Sequence, residues 1–202
     1  MLHTAAAPDG LMELLVRLAA DPSLGGFALG GGTSLALRFG HRVSVDLDFF
    51  TRRGFDPAAL RAGLGLDGAQ SVNQAANSLT LDLEGTKLDF LRHAYELLEP
   101  TDVEQGVRML SVPDVAAMKL NAVANRGAKK DFFDLAELVE RHSLDRMLDW
   151  FERKYCDSDR FIVIRSLSWF EDAEAEPDPV TLRKLDWAAV KERIREAVSQ
   201  LG

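Results

Sequence analysis

Asp46-Leu47-Asp48 is the first place in the chain where residue types and spacing point to chemistry. Residues two apart on a strand face the same side, so both carboxylates project together while Leu47 points the other way. Two carboxylates this close resist joint ionisation. A divalent cation resolves the conflict, and hard ions such as Mg²⁺ or Mn²⁺ take oxygen ligands. Alternating acids also occur on solvated strand faces. Here, however, Val43, Val45, Phe49 and Phe50 flank the pair and mark a buried strand, where uncompensated acids are costly. Asp89, set between Leu88 and Phe90, is the candidate third carboxylate, in the manner of two-metal phosphoryl-transfer sites. Asp82 shares its polar face and is its rival. Lys87 is expected to pair with Asp82 across a hairpin, which would make that pair structural.

Gly30-Gly31-Gly32-Thr33-Ser34 offers a different chemistry. Consecutive glycines let the backbone approach a ligand, and a helix start beyond them presents N–H groups to phosphate. The spacing is neither that of a dinucleotide fingerprint nor that of a P-loop, and a purely structural turn with a hydroxyl cap uses the same residues. Lys119 and Arg126 are seven apart and share a helix face. Past Gly127 come Lys129, Lys130 and Asp131, with Asp134 on the same face as Asp131. A lysine aimed at a triphosphate fits this pattern, and so does a solvated basic helix paired with acids. The four histidines show no metal-ligand spacing, and Cys156, the single cysteine, excludes an internal disulfide.

The elements that must hold these residues are legible in outline. Residues 11–20 have helical periodicity and stop at Asp21-Pro22. Phe27-Ala28-Leu29 reads as a strand, Leu35–Phe39 as the start of a helix, and Val43–Phe50 as a second strand. Asp56 and Pro57 open a short helix. From Ser71 to Leu91 apolar and polar residues alternate, with a turn at Gly85. Strand signals stop near Arg108. Helices follow over about 112–126, 129–141, 143–156, 159–171 and 186–200, with Gly127 ending the first.

Composition narrows the classes. A chain of 202 residues buries about 70% of its unfolded surface and needs no staple. No apolar run reaches membrane-span length and no secretory leader opens the chain, so the expected location is cytoplasmic. A net charge of −8 argues against broad phosphate neutralisation, so any nucleic-acid contact must be local. Arg108–Lys130 carries five basic residues and one acid. Glu171–Asp178 carries five acids and no base, and reads as a solvated loop or helix end.

Taken in order, these segments resemble one family. GGGTSLALRFGHRVSVDLDFF resembles the first two motifs of the AbiEii/AbiGii-toxin nucleotidyltransferases, in the DNA polymerase β-like superfamily. Leu88-Asp89-Phe90 is similar to the third motif, and SVPDVAAMKLNAVANRGAKKDFFDL to the fourth. Ala128 stands where many members have lysine, Lys130 replaces the more usual arginine, and the helical part is short for the family. The resemblance implies an α+β fold: a polymerase β-like core, with a mixed sheet and flanking helices, over residues 1–108. A helical lobe over 109–202 would complete the active-site cleft. It implies Gly31, Gly32 and Thr33 as the phosphate-binding turn, with Ser34 assisting. Asp46 and Asp48 would be metal ligands, and Asp89 the third carboxylate. Lys119 would contact the triphosphate, and Asp131 would be the helical aspartate of the site. The implied reaction moves a nucleoside monophosphate from an NTP to an acceptor, with Mg²⁺ or Mn²⁺. Some members extend the 3′ end of tRNA, and many are toxins accompanied by a separately encoded antitoxin. Arg126, Lys129 and Lys130, around the Gly127 break in an acidic protein, are the expected contacts of an RNA acceptor. A catalytically inactive interaction module and a metal-dependent phosphohydrolase are the alternatives.

Overall fold

The computed structural model describes residues 1–201, so Gly202, the last residue of the expected helical lobe, lies outside the described residues. The chain divides into two compact units, one of Met1–Glu96 with Pro100–Leu110, the other of Leu97–Glu99 with the chain from Ser111 on.

The first unit contains α1 (Asp9–Ala19), β1 (Ala28–Leu29), α2 (Gly31–Phe39), β2 (Leu47–Thr51) and α3 (Pro57–Leu64). The strands β3 (Gln70–Ala75), β4 (Ser78–Leu83), β5 (Thr86–Arg92), β6 (Asp102–Glu104) and β7 (Val107–Met109) follow. All seven strands form one mixed sheet in the order β3-β4-β5-β2-β1-β7-β6. β2 runs parallel to β5, and β1 runs parallel to β7; the remaining pairs are antiparallel. The β2–β5 register sets the character of the sheet's two faces. It pairs Phe49 with Phe90 and Asp48 with Asp89. The two rings stack at 5.4 Å in the core beside Leu47, Leu79, Leu81 and Leu88. Leu11, Leu15 and Leu18 of α1 and Leu60 and Leu64 of α3 join the same core. Each such side chain contributes about 1.5–3 kcal/mol by leaving water. A one-residue slip would exchange the faces, so burial of the aromatic pair fixes where the carboxylate pair lies.

Several elements differ from the sequence reading: the hairpin expected over 71–91 is three strands, and the helix expected over 159–171 is split into Arg160–Leu167 and Glu171–Glu174. The helix expected at Leu35 begins at Gly31, so the glycines form its first turn rather than a loop before it. The strand expected at Val43 begins at Leu47. The preceding residues are held elsewhere: Ser44 N–H donates to the Ala6 carbonyl at 2.8 Å, and the Ser44 hydroxyl bonds to Thr33. β6 and β7, three residues each, complete one edge of the sheet and are too short to show a period.

The second unit is helical: α4 (Val112–Asn125), α5 (Lys129–Val139), α6 (Leu144–Lys154), α7 (Arg160–Leu167), α8 (Glu171–Glu174) and α9 (Trp187–Ser199). Ser111, Ser143, Asp159 and Asp186 cap helices through their side chains. Phe132, Phe170 and Trp187 pack edge-on or tilted at 5.1–5.7 Å in its core. Leu97–Glu99 belongs here because the fully buried Asp114 carboxylate accepts the N–H groups of Leu98 and Glu99, together with Ser111 Oγ and Lys154 Nζ at 2.6 Å each. Among the described residues, no helix is long and apolar enough to cross a membrane.

Candidate active site

The expected site residues fall into two groups, one in each unit. In the first unit, β1 ends at Leu29 and the chain turns at Gly30 directly into α2. Gly30 N–H donates to the Asp48 carbonyl at 2.8 Å, which ties the helix start to the carboxylate strand. Gly31 has φ of +62°, a left-handed value that glycine tolerates best. A Cβ there would lie 2.1 Å from Asp48 Oδ2, so only glycine leaves room for that carboxylate at the head of the helix. The first-turn N–H groups of a helix have no intrahelical acceptor and carry its positive dipole end. Gly31, Gly32 and Thr33 occupy that turn.

Thr33 and Ser34 are buried, and both hydroxyls are used inward. Thr33 Oγ1 donates to the Asp46 carbonyl and shares a 2.7 Å hydrogen bond with Ser44 Oγ. Ser34 Oγ donates to the Gly31 carbonyl at 3.0 Å. These side chains therefore fix the Asp46 backbone and the helix start. Asp46 and Asp48 are half-buried on either side of the buried Leu47.

Asp89 is buried beside Asp48 on the neighbouring strand. Its Oδ1 accepts from Thr80 Oγ1 at 2.6 Å, and its Oδ2 accepts from Lys87 Nζ at 2.5 Å. Lys87 is opposite Asp82 in register, as the sequence implied, but its ammonium turns to Asp89 instead. Asp82 accepts from Gly85 N–H in the turn at 3.1 Å. The hydrogen bond to Asp89 raises the Lys87 pKa against the opposing effect of partial burial, and the charges of Asp89, Asp48 and Asp46 raise it further. Lys87 thus belongs to the carboxylate face.

Among the described residues, no three of His, Cys, Asp and Glu are arranged to hold a metal ion. Asp46 and Asp48 nonetheless supply the oxygen donors that suit a hard cation, and Gly31 leaves space at Asp48. Mg²⁺ commonly uses one or two carboxylates and completes its shell with water and substrate phosphate. The pair fits that arrangement; Asp89 carries a hydrogen bond on each of its oxygens, from Thr80 and from Lys87.

In the second unit Lys119 is 5% exposed. Its ammonium lies 2.7 Å from Asp131 Oδ1 and 2.6 Å from Asp134 Oδ2, tying α4 to α5. Arg126 closes on Asp131 from outside, Nε to Oδ2 at 2.9 Å and Nη2 to Oδ1 at 3.1 Å. Burial would raise the Asp131 pKa, but Lys119 and Arg126 outweigh it and hold the carboxyl below its ordinary value. The lysine expected to meet a triphosphate is here committed to two buried carboxylates.

Lys129 also departs from expectation. It is 4% exposed, with Nζ 3.0 Å from Asp178 Oδ1 and 5.1 Å from the centre of the Trp187 ring. Its N–H donates to Glu176 Oε2 at 2.8 Å, so the acidic segment caps α5. The run read as a solvated loop or helix end does keep its five acids exposed, and it also covers this lysine. Arg126 and Lys130 remain exposed. Arg126 borders a pocket of about 330 Å³ with Gly127, Arg165 and Trp169, a residue that is 52% exposed. Neither Arg165 nor Trp169 stood out in the sequence, because each lies in an ordinary helical pattern.

Residues 13–200 match the family model described as nucleotidyl transferase AbiEii toxin, type IV toxin–antitoxin system. An uncharacterized protein of Aquifex aeolicus is 37% identical over 157 residues, covering 74% of this chain and 76% of that protein. The fold is similar to that of a putative nucleotidyltransferase from Helicobacter pylori, with a TM-score of 0.59, 16% identity, and 95% of this chain and 91% of that one covered. It is also similar to MenT4, a nucleotidyltransferase toxin from Mycobacterium tuberculosis, with a TM-score of 0.62, 18% identity, and 95% and 84% covered. The mixed sheet with flanking helices is the polymerase β-like α+β fold implied by the motifs. By the match over nearly its whole length, this chain is a member of the AbiEii family of nucleotidyltransferase toxins.

Proposed function

We propose that this enzyme transfers a nucleoside monophosphate from an NTP to the 3′ end of an RNA, tRNA foremost, and does so with a divalent metal on Asp46 and Asp48. The observation that carries the reading is the contact of Asp48 with Gly31, which sets a carboxylate against the first turn of α2. That junction combines a cation-binding acid with N–H groups suited to phosphate oxygens. A bound Mg²⁺ or Mn²⁺ would supply charge stabilisation at the reacting phosphate. The chain's own part is orientation. Thr33 holds the Asp46 carbonyl, the Gly30 N–H holds the Asp48 carbonyl, and the Gly31–Thr33 turn meets the leaving phosphates.

Asp131, clamped by Lys119 and Arg126, keeps the exposed face of Arg126 in one place. Arg126, Lys130, Arg165 and Trp169 suit an unpaired RNA end, since guanidinium groups meet phosphate and an exposed indole can stack on a base. A separately encoded antitoxin is the partner that family membership brings to this reading.

The test is incubation with each α-labelled NTP, Mg²⁺ and total tRNA. The reading expects labelled RNA and released pyrophosphate, both abolished by chelation. Label on protein alone, or label transfer that survives chelation, would contradict it.

A further inference from the structure

Lys87 is the feature of the carboxylate face that the motifs do not account for. It is two residues from Asp89 on β5, so both side chains stand on the same face of the sheet. Asp82 is its direct cross-strand neighbour, yet the ammonium reaches Asp89 Oδ2 at 2.5 Å. Thr80 holds the other Asp89 oxygen at 2.6 Å. Asp48 stands beside Asp89 in register across the parallel β2–β5 pair, where strands lie about 4.8 Å apart. Two carboxylates so placed need a positive charge near them, and Lys87 brings one from within the chain.

We propose that the Lys87 ammonium is a built-in cation that takes the place of a second metal ion at Asp89, so that this enzyme works with one divalent ion, on Asp46 and Asp48. The inference rests on the metal assignment made above and adds the number of ions and the residue that sets it. A divalent ion on Asp89 would need a carboxylate oxygen at about 2.0–2.1 Å, and at Oδ2 it would have to crowd in beside the Lys87 ammonium already 2.5 Å from that oxygen. It would also sit against the ammonium and be repelled. The exchange has a chemical cost and a gain. An ammonium cannot act as a Lewis acid, but it offers N–H donors and a charge that no chelator removes. The Lys87 side chain is 52% exposed, so it can face a substrate phosphate as well as Asp89.

The experiment counts Mn²⁺ bound per chain, by the loss of the free-ion electron paramagnetic resonance signal as Mn²⁺ alone is titrated into the intact protein. One ion is expected on the unaltered protein and none on Asp48→Ala. Lys87→Met frees the Asp89 carboxylate and is expected to bind two, falling back to one in Lys87→Met/Asp89→Asn. Lys87→Arg keeps the charge and is expected to bind one. Thermal unfolding of each variant shows that the count is taken on folded protein. Two ions on the unaltered protein, or a count unchanged by Lys87→Met, overturns the proposal. Undiminished Mn²⁺ binding by Asp48→Ala overturns instead the metal assignment beneath it.

Discussion

The two units treat their aspartates in opposite ways. On the sheet, Asp46 and Asp48 are half-buried, and the cation that reaches Asp89 has a side chain half in water. In the helical unit, Asp114, Asp131 and Asp134 are fully buried, and each meets a lysine that is itself buried. Charge enclosed with its partner holds helices together and exchanges little with solvent. Charge gathered at an accessible face, beside a helix N-terminus, is arranged for something that arrives from outside. Acids that look alike in the sequence therefore divide into chemical and structural groups by solvent access and by where their partners come from.

The largest effect expected from breaking this contrast is on activity. Asp48→Ala should lower nucleotidyl transfer by at least about 10³-fold, since metal charge stabilisation is worth several kcal/mol. Without metal its thermal midpoint should not fall, because removing one acid relieves repulsion on that face. Lys119→Met should do the reverse. It leaves two buried carboxylates short of their shared cation and should cost about 3–5 kcal/mol in denaturant unfolding.

Gly31→Ala sharpens the comparison, because it should reduce transfer more than stability. The left-handed backbone costs about 1–2 kcal/mol, while the new Cβ displaces the Asp48 carboxylate. The pH dependence separates the groups again. The folded pKa of Asp131 is lowered, so its stabilisation is complete above the unfolded value of about 3.9 and is lost as pH falls through the folded value. The stability difference between wild type and Asp131→Asn should accordingly shrink below about pH 4. The smallest effect concerns Lys129. Lys129→Met should cost about 1 kcal/mol and leave the salt dependence of RNA binding unchanged. Lys130→Met should flatten that salt dependence by about one phosphate contact.

Spacing in the sequence put forward Asp46 and Asp48 and left Asp89 beside its rival Asp82; the structure sets Asp48 beside Asp89 in register, with Asp46 one residue before β2. Spacing also located most helices, whose caps and periods are local. It could not show that Lys87 reaches Asp89 rather than Asp82, since both acids lie within its reach on the same sheet face. Nor could it show that Thr33 bonds to the Asp46 carbonyl, a contact between residues thirteen apart. The acidic run from Glu171 and Lys129 are separated by more than forty residues. Only tertiary packing lays the acidic run over Lys129, burying the lysine under acids that stay in water and capping α5.

The most direct test follows label transfer, with Mg²⁺, each α-labelled NTP and total tRNA, and thermal unfolding, without metal or nucleotide, on the same preparations of wild type and Asp48→Ala. The account predicts labelled RNA from the wild type and none from Asp48→Ala, with a melting temperature at least as high in the variant. Transfer within a few-fold of wild type by folded Asp48→Ala would contradict it.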